Sequence, residues 1–487
     1  MTRHPIARAR AHAPGLRRLT RLLIALIPFA WGTQPTAAAP AAGPNIVVIL
    51  ADDLGYGDVQ SLNPQRGKVP TPHLDRLASQ GMAFTRAHSG SSVCTPTRYG
   101  LLTGRYAWRT HLQHGVFSGY VEPLIAPDRL TLPALLKAQG YHTACIGKWH
   151  LGFTVDKPAP RGKNDQMLGA PLGAITADGP TTRGFDTYFG FHHARMMNSV
   201  FENDRVTRLV QPEDMLSVLT QQSIAHIQRR AATGQPFFLY LALSSPHTPI
   251  LPTEAWRGRS GLGKYADFVM QTDAAVGEVL DAIDRAGVAS RTLVIFTSDN
   301  GCSTAADVKA LEARGHFPSA DARGYKSSIY EGGHRVPFIA RWPDRIAAGS
   351  RSERLICLTD LMATCAELVG ANVPDTAGED SVSLLPELLG RPGVAPRPAV
   401  VHHSAAGRFA VRQGDWKLCL PRGQGKESEG AELYDMAKDP GESINLAKEH
   451  PEKLRELTGV LAGYIAQGRS TPGPKRNNDI ALKSPQP

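Results

Sequence analysis

The chain has 487 residues, 42% of them hydrophobic and 20% charged, with a formal charge of +10. That composition excludes a disordered, collagen-like or disulfide-scaffold protein, and the length leaves room for a large α/β domain plus a smaller one. Six arginines (Arg3, Arg8, Arg10, Arg17, Arg18 and Arg21) stand in the first forty residues with no acid among them; without them the charge falls to +4, and nucleic acid as a partner loses its compositional support.

Those arginines precede the apolar run "LLIALIPFAW" and the small-residue run "TAAAPAAG". This is the order of a secretory signal, with cleavage expected around Ala37 to Ala42. The run is too short to span a bilayer, and no later stretch approaches spanning length. Residues 1–42 are therefore read as a signal peptide, and the mature protein is expected to be periplasmic or secreted and not membrane-spanning. Arg17-Arg18 leaves a twin-arginine route open.

Beyond residue 43, buried-strand runs "NIVVILA" (45–51), "YHTACIG" (141–147), "PFFLYLAL" (236–243) and "TLVIFTS" (292–298) alternate with helical segments. These segments include "TPHLDRLASQG", "LPALLKAQG" and "KYADFVMQTDAAVGEVLDAIDRAG". The pattern predicts an α/β fold over 43–392, with a large, mostly parallel or mixed sheet sandwiched by helices. After "GRPGVAPRP", the runs "AVVHHS", "RFAVRQ" and "WKLCLP" predict a small antiparallel sheet, closed by the helix "PEKLRELTGVLAGYIAQG". That subdomain is placed at 393–470, with a polar tail at 471–487. Cysteines 94, 145, 302, 357, 365 and 419 are too few and too scattered for a disulfide framework, and no CxxC or Cys/His zinc spacing occurs.

Each central strand runs into polar residues: Asp52-Asp53, Lys148-Trp149-His150, Pro246-His247, and Asp299-Asn300-Gly301. A carboxylate pair after one strand often only caps a helix or shapes a turn, and a lone histidine is more often structural. In a parallel sheet, however, the carboxyl ends share one edge where ligands bind. Three acids and one amide there offer hard oxygen donors suited to Ca²⁺ or Mg²⁺ rather than zinc. The lysines, arginine and histidines nearby suit an anionic ligand.

The stretch "CTPTR" (94–98) resembles the C-x-P-x-R signature of type I sulfatases, in which the cysteine is converted to formylglycine. "GRYAWRT" resembles the continuation of that signature. "NIVVILADDLGYGD", "GKWHLG", "SPHTP", "TSDNG" and "GYKSSIYEGGHRVP" resemble sulfatase segments in the family's order, and "ELYDMAKDPGESINLA" resembles its C-terminal domain. The resemblance implies an alkaline phosphatase-like fold and a sulfuric ester hydrolase. It implies Asp52, Asp53, Asp299 and Asn300 as calcium ligands, joined by the modified Cys94. Arg98, Lys148 and His150 would hold the formylglycine hydrate, with Lys148, His247 and Lys326 around the sulfate and leaving oxygen. Asp299 would serve as base, His247 with Lys326 nearby as acid, and His150 as the later proton acceptor. The hydrate offers two geminal oxygens where serine offers one, so one can attack sulfur while the other lets the aldehyde re-form. "CTPTRYGLLTG" also suits a helix beginning near Pro96, its positive end at the nucleophile.

The segments "TTRGFDTYFG", "FENDR" and "GHFPSADARGYK" resemble bacterial enzymes similar to arylsulfatase A and N-acetylgalactosamine-6-sulfatase. They suggest His192, His193, Asn203, His316 and His334 as pocket-wall residues; a surface-loop role is the alternative for each. The implied partners are a sulfated small molecule or glycan as substrate, favouring carbohydrate, and a formylglycine-generating enzyme during maturation. Two rival readings stay open: a phosphate or phosphonate monoester hydrolase of the same superfamily, and a sulfated-glycan binding protein that is never activated.

Overall fold

The structure, a computed structural model, describes residues 43–157, 159, 168–393, 395–421 and 430–483. The signal-peptide expectation, at 1–42, and the end of the polar tail lie outside the described residues. Among the described residues no helix is long and apolar enough to cross a membrane.

The first strand, β1 (Asn45–Asp52), is buried along its whole length. It pairs in parallel with two further strands, Phe237–Pro246 and Thr292–Ser298. In chain order the strands of the large sheet are β1, β2 (Met82–Phe84), β3 (His142–Lys148), β4 (Thr187–Phe191), β5 (Ser199–Glu202), β6 (Arg205–Leu209), β7 (Phe237–Pro246), β8 (Thr292–Ser298), β9 (Phe338–Arg341) and β10 (Ser350–Ser352). Their spatial order is β10-β2-β9-β8-β1-β7-β3-β4-β5-β6. The five central strands β8, β1, β7, β3 and β4 run parallel. Beyond them, β9 and β5 join antiparallel to β8 and β4, so the sheet is mixed with a parallel centre.

Alternation along β1 divides the core. Ile46, Val48 and Leu50 enter one cluster, while Val47, Ile49 and Ala51 enter the other. Both faces are apolar, as a parallel sheet covered on two sides requires. One face carries α1 (Pro72–Ser79), α4 (Met215–Ala231) and α5 (Lys264–Arg285); the other carries α2 (Cys94–Thr103) and α3 (Leu132–Ala138). Helix α2 starts two residues before the expected Pro96. The first four N–H groups of a helix have no intrahelical partner, so proline is tolerated as the third residue as well as the first.

The second sheet is antiparallel: β11 (Val400–His403), β12 (Phe409–Gln413), β13 (Trp416–Cys419) and β14 (Glu432–Asp435), with α6 (Pro451–Gln467) against it. Its fourth strand lies in the segment whose resemblance pointed to the C-terminal domain. The apolar cluster under this sheet joins Val401, Val411, Leu418 and Leu457 to Tyr106 and Trp108. Residues after α6 are held as well, through the Arg105–Asp479 ion pair (2.9 Å) and an Arg109–Asn478 hydrogen bond (2.9 Å). All six cysteines are buried and free.

Candidate active site

Asp52 ends β1, and Asp53 follows with φ +65°. In a continued strand these two side chains would point to opposite faces. The left-handed turn at Asp53 breaks that alternation, and the carboxylates of Asp52, Asp53 and Asp299 gather within 4.8 Å of one another. Such backbone in a residue with a side chain costs on the order of 1–3 kcal/mol and persists only where its surroundings impose it. Here the Asp53 N–H donates to Asp299 Oδ1 (3.2 Å) and the Leu54 N–H to Ser298 Oγ (3.0 Å), tying the ends of β1 and β8 together. Asn300 donates through Nδ2 to Asp53 Oδ1 (2.8 Å), while its Oδ1 is buried and unpartnered. Gly301 is needed next, because a Cβ there would stand 1.9 Å from the Gly332 carbonyl oxygen. Three carboxylates and an orphaned amide oxygen are hard donors, and this set fits a divalent ion of the Ca²⁺ or Mg²⁺ type.

Three cations face these acids. Lys148 donates to both oxygens of Asp52 (2.9 and 2.7 Å), and both residues are fully buried. Arg98 donates through Nε (3.1 Å) and Nη2 (2.8 Å) to Asp299 Oδ2 and through Nη1 to the Lys148 carbonyl (3.0 Å). Lys326 Nζ stands 2.6 Å from Asp53 Oδ1. Burial alone would raise the Asp52 pKa, but His247, Lys148 and Arg98 together hold its carboxyl well below the usual range. Asp299 goes the other way: burial and the neighbouring Asp52 charge push it up to about 6. Lys326 is also burdened by burial, yet Asp53 keeps its ammonium more firmly protonated than usual.

Cys94 is the first residue of α2 and is 2% exposed. Its Sγ, an Asp52 oxygen and a His247 ring nitrogen lie within 4.8 Å of one another. Burial pushes the thiol pKa up, so an unmodified Cys94 is a thiol rather than a thiolate. The small sheet sets this helix start: His403 accepts from the Ser92 N–H (3.2 Å) and from Ser91 Oγ (2.7 Å).

The two histidines are fixed differently. His247 follows β7, with Nδ1 bonded to the Thr248 carbonyl and Nε2 3.6 Å from Asp53 Oδ2. His150 has φ +57°, and its Nε2 bonds the Phe117 carbonyl (2.9 Å), leaving Nδ1 buried and unpartnered. Burial, then Lys148, holds its pKa well below the usual value.

The four strand ends therefore converge with Cys94 as the motif order implied. The family model for sulfatases matches residues 44–371, and that for the C-terminal part of N-sulphoglucosamine sulphohydrolase matches 324–467. The chain belongs to the sulfatase family. It is 32% identical to N-acetylgalactosamine-6-O-sulfatase of Bacteroides thetaiotaomicron, over 86% of this chain and 92% of that one. With human arylsulfatase A it shares 34% identity over 86% and 87% of the two chains. A solved sulfatase structure from glycosaminoglycan metabolism in Bacteroides thetaiotaomicron superposes with a TM-score of 0.77 at 30% identity, covering 87% of this chain and 99% of that one.

The outer residues of this sulfatase divide. His192 and His193 adjoin the site: the His193 ring packs 4.6 Å from that of His150, and the His192 carbonyl accepts from the His150 N–H (2.8 Å). Burial and Lys148 lower their pKa values to about 3 and about 2. Asn203 takes the surface-loop alternative to the pocket wall: it is exposed at the β5–β6 turn with φ +58°, its Oδ1 accepting from the Tyr188 N–H (3.0 Å). Because β5 runs antiparallel to β4, this turn lies beside the start of β4, away from its carboxyl end. His316 braces the loop after β1, between Asp58 Oδ1 (2.8 Å) and the Lys68 N–H (3.0 Å). His334 stacks on His402 (3.6 Å between ring centroids) beside Lys417 Nζ (3.1 Å), against the small sheet. Sequence reading did not mark Arg195, Leu209 and Pro249, which line a separate cleft; the only local signal was that Arg195 and Pro249 each sit two residues after a site histidine.

Proposed function

We propose that this sulfatase is an exported, calcium-dependent hydrolase of sulfuric esters whose nucleophile is formylglycine made from Cys94. The observation that carries the reading is Cys94 itself, heading α2 in one cluster with Asp52 and His247, beside three carboxylates. A protonated, soft thiol suits hard-ion surroundings poorly, whereas an oxygen nucleophile suits them well. Asp52, Asp53, Asp299 and Asn300 would hold the calcium, which supplies Lewis-acid polarisation of the reacting oxygens.

The chain's own residues divide the remaining work. Arg98, locked by two bonds to Asp299 Oδ2, positions the nucleophile. Lys148 and Lys326 meet charge on the sulfate oxygens, and preorganised donors of this kind contribute about 3–4 kcal/mol each to the transition state. With Nδ1 of His247 donating to the Thr248 carbonyl, Nε2 carries the proton for the leaving oxygen in the imidazolium form, which burial opposes and Asp52 and Asp53 favour. His150 is held neutral, so its unpartnered Nδ1 is ready to accept a proton. Asp299 acts as base toward the nucleophile.

The relatives named for N-acetylgalactosamine-6-sulfate esters and aryl sulfates support a sulfated carbohydrate or an aryl sulfate as substrate. The leader-like residues 1–42 support export. The test is the mass of the tryptic peptide Ala87–Arg98 from protein made in its own host, together with ion release from matched sulfate and phosphate esters. Thiol-to-aldehyde conversion lowers the peptide mass by about 18 Da. An unmodified cysteine, or release of phosphate but not sulfate, overturns the reading.

A further inference from the structure

A cleft of about 710 Å³ is lined by Leu168, Arg195, Asn198, Leu209, Gln211 and Pro249, among others. Its two sides continue directly from the two histidines at the edge of the site. Ala194 and Arg195 follow His193, whose ring packs on His150; Thr248 and Pro249 follow His247, whose Nε2 faces Asp53. The cleft therefore has one rim on each of the two segments that leave these histidines. Its volume falls in the range that encloses a whole small ligand, more than a phenol or one sugar ring fills.

Its lining has two chemistries. Leu168, Met197, Leu209, Val210, Pro212 and Pro249 are apolar, and Leu209 is 57% exposed, one of three large hydrophobic side chains so exposed among the described residues. Arg195, Asn198 and Gln211 add a guanidinium and two amides. Arg195 is exposed, while the nearby acid Glu213 is engaged by Arg257 (2.6 Å). The apolar surfaces suit the C–H faces of pyranose rings, and the guanidinium suits an oxyanion through paired N–H donors.

We propose that this cleft binds the sugar next to the sulfated one, and that Arg195 selects substrates in which that sugar carries a second anionic group, a carboxylate or another sulfate. Arg195 is thus a specificity residue and takes no part in the chemistry. The inference rests on the sulfatase reading above for which end of the substrate enters.

The test compares wild type with Arg195→Ala and Arg195→Lys as mature, calcium-loaded enzyme. Three esters are used: 4-nitrophenyl sulfate, a sulfated monosaccharide with no other charge, and a disaccharide joining that sugar to a uronate. Losing a charge-assisted pair raises KM for the disaccharide at least about tenfold more than for the other two, with kcat for it within about twofold, and lysine recovers part of the loss. An equal change in KM for all three esters overturns the proposal. Calorimetry with the desulfated disaccharide tests the cleft without turnover: Arg195→Ala must weaken its binding by the same factor, and unchanged binding overturns the inference. No sulfate release from any ester by wild type, with this binding difference intact, would sink the hydrolase reading and leave the cleft assignment standing.

Discussion

His226 offers a direct test of how burial and charge set the acid limit of this fold. It lies on α4, 4% exposed, with its ring edge-on to Phe237 (5.9 Å) and 5.5 Å from that of His142. Burial first, then His142, Arg229 and Arg230, lower its pKa from 6.5 to about 3. The named neighbours are all cationic or potentially so, and Nε2 has no hydrogen-bond partner, so nothing there rewards protonation. The unfolded chain takes up a proton near pH 6.5 that the folded chain refuses until about pH 3. His226 therefore costs nothing above pH 6.5, and stability is lost as pH falls below it; at about pH 5 the loss is RT ln(1 + 10^1.5), about 2 kcal/mol. Replacing His226 with leucine removes the titration while keeping an apolar group of similar size. Urea unfolding, followed through the five tryptophans beyond residue 42, gives the stability difference between variant and wild type at about pH 7.5 and about pH 5. The variant should gain about 2 kcal/mol relative to wild type on acidification. A difference that stays constant within about 0.5 kcal/mol would refute the assignment of His226 as a buried neutral histidine.

Three further outcomes follow from the site. Arg98→Lys keeps a charge but cannot reproduce the Nε and Nη2 bonds to Asp299, so kcat for sulfate release should fall about 10²–10³-fold while far-ultraviolet dichroism is unchanged. Gly301→Ala places a Cβ 1.9 Å from the Gly332 carbonyl, and the shift this forces beside Asn300 should lower stability by about 1–3 kcal/mol in denaturant unfolding and weaken calcium binding in calorimetry. Chelation should abolish activity and lower Tm, both reversed by calcium and not by zinc, since only the folded chain brings Asp52, Asp53 and Asp299 together.

The centre of the fold was legible because its strands are short apolar runs with abrupt polar ends. The strands at 45, 142, 237 and 292 begin within a residue of their expected starts, and each delivers its polar residues to one edge. The sequence order of Asp52 and Asp53 was readable, but not the turn that brings both carboxylates to one place, because φ +65° at Asp53 is imposed from β8. The pocket-wall reading fails for Asn203 and His334 for a related reason. Proximity to a motif along the chain says nothing about direction once a strand turns back, as β5 does, or once a loop meets another sheet, as the His334 turn does. The strand Glu432–Asp435 was hidden by its length, four residues with acids at both ends, and exists through its pairing with β13.

That second sheet does more than cover the core. The segment carrying Lys326 also carries Glu331, and Glu331 is buried against His88, Arg412 (3.3 Å) and Lys417 (3.3 Å), the last two from β12 and β13. Lys417 also pairs with Glu442 (2.7 Å), whose carboxylate accepts the Glu331 N–H (2.7 Å). Removing the sheet would take Arg412 and Lys417 from the Glu331 charge and leave it only His88, a penalty of about 3–5 kcal/mol, so the segment would have to move outward to find water. Ser327 links the same segment to the turn before Cys94: its N–H donates to the Ser92 carbonyl (2.8 Å), and its own carbonyl accepts from the Ala405 N–H (3.3 Å). The position of Lys326 beside Asp53, and that of Cys94 at the head of α2, are thus both fixed by the small sheet, although none of the residues proposed to carry the chemistry lies in it.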